Sequence, residues 1–200
     1  MDLYLSIDAG DCLFQPLEDV IRAEFIPTLL KRDINDLERE LLSLPVRMGG
    51  MGISKPTEQC QVAHFNSMYV STPLVKLITR QIAEFDPREL SEEMKTLRAD
   101  IDTQAEKRHT DKRDTLLGHI GETMKIALKA AGEKGASSWM TAVPSYDHGT
   151  ILHKREFVDA CYMRYGWDLL DLPVSCDTCG GAFSLQHSLD CQHGGLRQMR

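Results

Sequence analysis

Residues 90–105 read LSEEMKTLRADIDTQA, and the apolar positions Leu90, Met94, Leu97, Ile101 and Ala105 recur in alternating steps of four and three. Side chains so spaced line one edge of an α-helix, as in a coiled-coil seam, whereas a strand would need strict alternation. Downstream, the charged run Lys107–Asp114 reads as a solvated face or a connection between helices. Leu116, Leu117, Ile120, Met124, Ala127, Leu128 and Ala131 then form a second stripe, closed by Gly132 and Gly135. Two stripes in succession predict an antiparallel helical hairpin.

The upstream residues carry the same texture. Pro16 fits the first turn of a helix whose stripe is Leu17, Val20, Ile21, Phe25 and Leu29, with Pro27 expected to interrupt or kink it. Asn35 or Asp36 caps a second helix through Leu42, ended by Pro45. LPVRMGGMGI (Leu44–Ile53) reads as a tight loop. It is not a phosphate-binding P-loop, because Ile53 and Ser54 separate the last glycine from Lys55, and Pro56 follows. Thr57 to about Tyr69 reads as a helix, and Thr72 with Pro73 as the start of another running to Phe85. A further helix spans about His153 to Tyr165, with Phe157, Val158, Cys161, Tyr162 and Tyr165 on one face. Trp139, Phe157 and Trp167 read as an apolar floor beneath the C-terminal segment, while Tyr146 and Phe183 have a better claim to exposure. The expectation is a mainly α chain, a helical bundle or set of hairpins over residues 1–135, followed by an aromatic-rich segment, 136–200, that ends in a small Cys/His module.

That module is the most specific pattern present. Cys176, Cys179, His187 and Cys191 are spaced C-x2-C-x7-H-x3-C. Three thiolates and an imidazole are the donors that tetrahedral Zn²⁺ prefers, and four protein ligands leave no position for a reacting water, so the zinc would be structural. Gly180 and Gly181 allow the chain to turn back over the metal. Reduced cysteines near an unrelated histidine, or a disulfide pair, are the alternatives. A redox CxxC would need a βαβ context that the sequence lacks. His193 ranks behind His187 as a ligand, because H-x3-C sets both donors one helical turn apart.

Composition narrows the function classes. The chain has 200 residues, 42% hydrophobic content and a formal charge of −7. That is enough for one core with a small satellite, and no apolar run is long enough to cross a membrane. Cys12, Cys60 and Cys161 lie far apart, so a reducing intracellular compartment, nuclear or cytoplasmic, fits better than a disulfide scaffold. The acidity argues against strong nucleic-acid binding, which lysine and arginine drive, so any such contact must come from a local patch. A zinc deaminase signature and a serine nucleophile elbow are missing. Cys161 with His153 could form a thiolate pair, but Cys161 falls on the apolar helical face and reads as an inert thiol.

Four segments in order, FQPLEDVIRAEFIPTLL (Phe14–Leu30), ELLSLPVRMGGMGISKP (Glu40–Pro56), GASSWMTAVP (Gly135–Pro144) and HKREFVDACYMRYGW (His153–Trp167) leading into the Cys/His module, resemble the region downstream of the polymerase core in reverse transcriptases of non-long-terminal-repeat retrotransposons. The resemblance implies a thumb-and-connector-like helical region and a zinc knuckle held by Cys176, Cys179, His187 and Cys191. It further implies a non-catalytic fragment. Nothing corresponds to the palm carboxylates, Asp8 and Asp11 being too isolated, and no counterpart of the following endonuclease is found. Such a fragment would help to position RNA or single-stranded DNA, weakly, through Arg47, Lys55, Lys154, Arg155, Arg164, Arg197 and Arg200. The polymerase and endonuclease domains of a parent protein would be its other partners. The rival reading is a zinc-stapled protein-interaction module in which the seam from Leu90 to Ala105 binds a partner helix.

Overall fold

A computed structural model gives the fold and describes residues 13–82 and 84–193; Asp8, Asp11, Cys12, Arg197 and Arg200 lie outside the described residues. The expected mainly α architecture is what the chain adopts. Helices α1 (Gln15–Val20), α2 (Ile26–Leu30), α3 (Asp36–Ser43), α4 (Pro56–Thr79), α5 (Pro87–His119), α6 (Glu122–Ala131), α7 (Ser138–Thr141), α8 (Lys154–Tyr165) and α9 (Leu185–Asp190) follow in order. Among the described residues the only β pairing is an isolated bridge between Ser175 and Ala182.

Pro27 does not break the first helix. A π turn, Ile21–Phe25, joins α1 to α2, and the Ile26 N–H bonds the Ile21 carbonyl five residues back. The widened turn accommodates the proline ring, which in regular α geometry would press on the carbonyl four residues earlier. It also inserts one residue into the helical register. Burial therefore runs Phe14, Glu18, then Ile26 and Leu30, while Leu17, Val20 and Phe25, expected on the buried stripe, face solvent. A 3.6-residue period cannot anticipate that shift.

The second helix follows its capping signals. Asn35 accepts from the Glu38 N–H at 2.9 Å, and Glu38 accepts from the Asn35 N–H at 3.0 Å, closing a capping box. After α3 a 3-10 turn, Val46–Met48, leads into the glycines. Gly49 has φ +97°, and a Cβ on Gly50 would lie 2.0 Å from the Leu44 carbonyl oxygen. This loop requires glycine at both positions.

The hairpin forms from different segments than expected. Thr72 and Pro73 open no new helix, since α4 runs through them to Thr79. The Ser71 and Thr72 hydroxyls both donate to the Met68 carbonyl in the turn ahead of Pro73. The charged run Lys107–Asp114 is likewise helical, so α5 continues from Pro87 to His119. α4 and α5 pack antiparallel: Glu58, early in α4, meets Lys112, late in α5, and Pro73 and Leu77 share a pocket with Leu90. Between residues 90 and 105 of α5, Leu90, Met94, Leu97, Ile101 and Ala105 are the half-buried positions and the others are exposed. The seam is thus taken by the chain's own α4, which corrects its assignment to a partner helix.

Fully buried Ile26, Leu30, Leu41, Leu42, Leu44 and Leu128 form the core with Leu116, Ile120, Cys161 and Tyr165. Each such aliphatic side chain contributes on the order of 2 kcal/mol relative to exposure. The core draws on both sides of the division at residue 135, because α8 packs on α6 and α2. Trp139, Phe157 and Trp167 pack against this same helical core, not beneath the Cys/His module. Trp139 meets Phe157 edge-on at 5.9 Å, and Arg32 lies over Trp167 at 4.2 Å.

Two buried arginines tie the loops to the helices. Arg39, 2% exposed, forms a two-pronged pair with Glu18 at 2.7 and 2.8 Å and donates to the carbonyls of Ile53 and Ser54. Arg164, 8% exposed, donates to the Ser137 hydroxyl and to the carbonyls of Val46 and Gly50.

Candidate metal centre

Cys176, Cys179, His187 and Cys191 converge at the C-terminal end. Their ligand atoms all lie within 4.8 Å of one another, so the cluster is able to hold a metal ion. The local fold explains the convergence. The Cys176 N–H donates to the Gly181 carbonyl and the Gly180 N–H to the Cys176 carbonyl, both at 2.8 Å, which closes a turn over the first cysteine pair. Gly180 supplies the left-handed conformation at φ +71°; Gly181, expected to share that role, is not among the positive-φ residues. A Cβ on Gly181 would touch the Cys179 sulfur at 3.4 Å. Ser184 caps α9 by accepting from the His187 N–H at 3.0 Å, and α9 then carries His187 and delivers Cys191 at its C-cap.

The Cys176 and Cys191 sulfurs are 3.8 Å apart, and the Cys179 sulfur is 3.2 Å from His187 Nε2. A tetrahedron with metal–sulfur bonds of ~2.3 Å has sulfur–sulfur edges of about 3.8 Å. Cys176, Cys179 and Cys191 form no disulfide, so none competes with the metal. His187 rather than His193 completes the cluster; the His193 backbone N–H instead bonds the Cys191 sulfur.

Thiolate stabilisation is built into the loop. The Thr178 hydroxyl, 3.1 Å from the Cys176 sulfur, together with the Cys179 and Thr178 N–H groups, pulls that thiol down to about 5. Thr178 also lowers Cys191, helped by the His193 N–H. At Cys179 the Gly181 N–H favours the thiolate, but burial and the neighbouring sulfurs outweigh it and raise the thiol. His187 is raised, chiefly by its hydrogen bond to Cys176. Three thiolates this close repel one another, and a divalent cation at their centre relieves the repulsion. The N–H and hydroxyl donors around the sulfurs are the outer-shell contacts that metal thiolates use.

The cationic candidates scatter. Arg164 is a structural residue, its guanidinium spent inside the core, which corrects its assignment as an exposed phosphate contact. Lys154 and Arg155 sit exposed at the start of α8, and Arg155 lies 3.9 and 3.8 Å from Asp159 and Asp171. Arg47 pairs with Glu106, and Lys55 with Glu40 and Glu58. Arg47 and Lys55 share their surroundings with three basic residues that the sequence reading passed over, Arg108, His109 and Lys112. The signal was the run KRHTDKR at 107–113, where residues 105, 108, 109 and 112 fall on one face once the segment is helical.

No family model matches the chain, and comparison with curated proteins and with solved structures found no match. Among the described residues no helix is long and apolar enough to cross a membrane.

Proposed function

We propose that this chain is a non-catalytic, zinc-stapled part of a non-long-terminal-repeat reverse transcriptase, acting to position single-stranded RNA or DNA in a reducing compartment. One observation carries the reading. The four segments that resemble such polymerases are bound to one another through two buried arginines: Arg39 joins Glu18 to the exit of the glycine loop, and Arg164 joins that loop to Ser137. The same segments share one apolar core, so they work as one unit. The zinc-type donor set beyond α8 fits the knuckle that the resemblance implies, and the metal would hold backbone in place without touching substrate.

The experiment is fluorescence anisotropy of a labelled oligonucleotide over a salt series. Three or four phosphate contacts imply a slope of log affinity against log salt of roughly −2 to −3 for single strands. His187→Ala should weaken binding by loosening the knuckle. Absence of binding at low salt, or binding indifferent to salt, rejects the reading.

A second reading, a protein-interaction module, has one observation in its favour. Phe65, Met68, Tyr69, Val75 and Ile78 lie exposed on α4, with Phe65 at 68% and Ile78 at 73%. Salt-independent self-association or protein binding, abolished by Phe65→Ser with Ile78→Ser, would favour it.

A further inference from the structure

Between the glycine-loop exit and the α4–α5 hairpin lies a polar cavity of about 230 Å³. Lys55, Arg108, His109 and Lys112 line it, together with Ser54 and the carboxylate of Glu58. The α4–α5 pairing places them there: α5 supplies three of the basic groups on successive turns, and Lys55 is the N-cap residue of α4.

Glu58 occupies a telling position. Its carboxylate bridges the two ammonium groups, 2.8 Å from Lys55 and 3.1 Å from Lys112, yet its own side chain is 53% exposed. Glu40 holds both lysines from the other side and is less exposed. One carboxylate is therefore anchored and the other can swing into solvent. Arg108 has no ion pair among the described residues. Lys55, Lys112 and Arg108 thus set three permanent cations against the two carboxylates of Glu40 and Glu58, and Arg47, paired to Glu106, acts on His109 from outside the lining. The His109 imidazole is pushed below its ordinary value, first by burial and then by the positive charges of Arg47, Arg108 and Lys112. Its Nδ1 is shielded from solvent and has no protein partner.

We propose that this cavity is a phosphate site, in which Lys55, Arg108 and Lys112 grip a phosphate group that takes the place held by the Glu58 carboxylate. Lysine and arginine offer donors and no acceptor, so the bridging position suits a second anion once Glu58 moves out. Phosphate has the volume and the several oxygens needed to meet both ammonium groups and the Arg108 fork together. That the phosphate belongs to a nucleic-acid backbone rests on the function proposed above; the cavity itself does not depend on it.

Two titrations of the full chain test the site. Inorganic phosphate is added at constant ionic strength while the His109 imidazole is followed by NMR, and a single-stranded RNA oligonucleotide is followed by anisotropy. Arg108→Gln should weaken both by about fivefold and lower the oligonucleotide salt slope by about 0.7, one phosphate contact. Glu58→Gln should strengthen both by a few-fold, a direction that misfolding would not produce. A saturable phosphate response with this pair of opposite effects, but no oligonucleotide binding, keeps the site and removes the nucleic-acid function. Oligonucleotide binding that ignores both substitutions, with no saturable phosphate response, overturns the site and leaves that function standing. Weaker phosphate binding in Glu58→Gln also overturns it.

Discussion

Arg164 Nη2 donates to the carbonyl oxygen of Gly50 at 3.1 Å across 114 residues of chain. The same nitrogen reaches the Val46 carbonyl at 3.0 Å, and the other terminal nitrogen binds the Ser137 hydroxyl, which itself donates to the Ala131 carbonyl. One side chain thus satisfies the Gly50 carbonyl and adds a second donor to the Val46 carbonyl, which also accepts from the Gly49 N–H, and it locks α8 to the glycine loop.

Removing that guanidinium leaves the Gly50 carbonyl without its donor and the Val46 carbonyl with the Gly49 N–H alone. Arg164→Ala should cost about 3 kcal/mol in a urea denaturation, and Arg164→Lys most of that, because an ammonium lacks the planar fork. A change below about 0.5 kcal/mol for either would mean that the loop finds its donors elsewhere.

Gly50 in that loop and Gly135 beyond α6 differ in what they exclude. A Cβ on Gly50 would strike the Leu44 carbonyl, carbon and Cα, all backbone atoms, whereas Gly135 at φ +85° has open space around it. Gly135→Ala should cost about 1 kcal/mol from backbone strain alone, and Gly50→Ala at least twice that. Equal losses in thermal melts would refute the distinction.

How far the sequence foresaw these features depends on how local each signal was. The Asn35 cap, the α8 face and the C-x2-C-x7-H-x3-C cluster were legible because each depends on residues a few positions apart. The buried face of α1 and α2 was not, since the π turn at Ile21–Phe25 shifts the register and nothing but Pro27 hints at it. Arg164 read as a surface charge for a related reason: its partners, Val46 and Gly50, come from the other end of the chain. Lys112 and His109 were hidden because the charged run was left open as a solvated face or a connection, and neither reading sets its basic residues on one face toward α4.

Metal removal should act locally. α9 has six residues, too few to persist without a tether, so it depends on the ligands that Cys176, Cys179 and Cys191 share with its His187. Purified protein should carry about one equivalent of zinc by elemental analysis, and chelation should remove the helical signal of α9 while leaving the core intact. Cys176→Ser should lower the metal content. Less than half an equivalent, unchanged in that variant, would contradict the assignment.

Acid should expose the contribution of the Glu40 network. Burial alone would raise the Glu40 carboxyl, but hydrogen bonds and charge from Lys112 and Lys55 outweigh it and hold the group below its ordinary value of 4.5. A carboxyl lowered on folding stabilises the protein above its unfolded value, and that stabilisation is lost as pH falls through the lower folded value. Lys55 is shifted the other way: burial opposes, but Glu40 and Glu58 raise it, so its own contribution fades only in alkali, above its ordinary 10.5. The acid limb therefore belongs to the carboxylate. Glu40→Gln should be less stable than the unsubstituted protein at pH 7, and the gap should close progressively below about pH 4.5 as the native carboxyl takes up its proton. Urea denaturation of both proteins at a series of pH values reads the gap directly. A difference that stays constant or grows toward acid would show that Glu40 acts through packing and not through its charge.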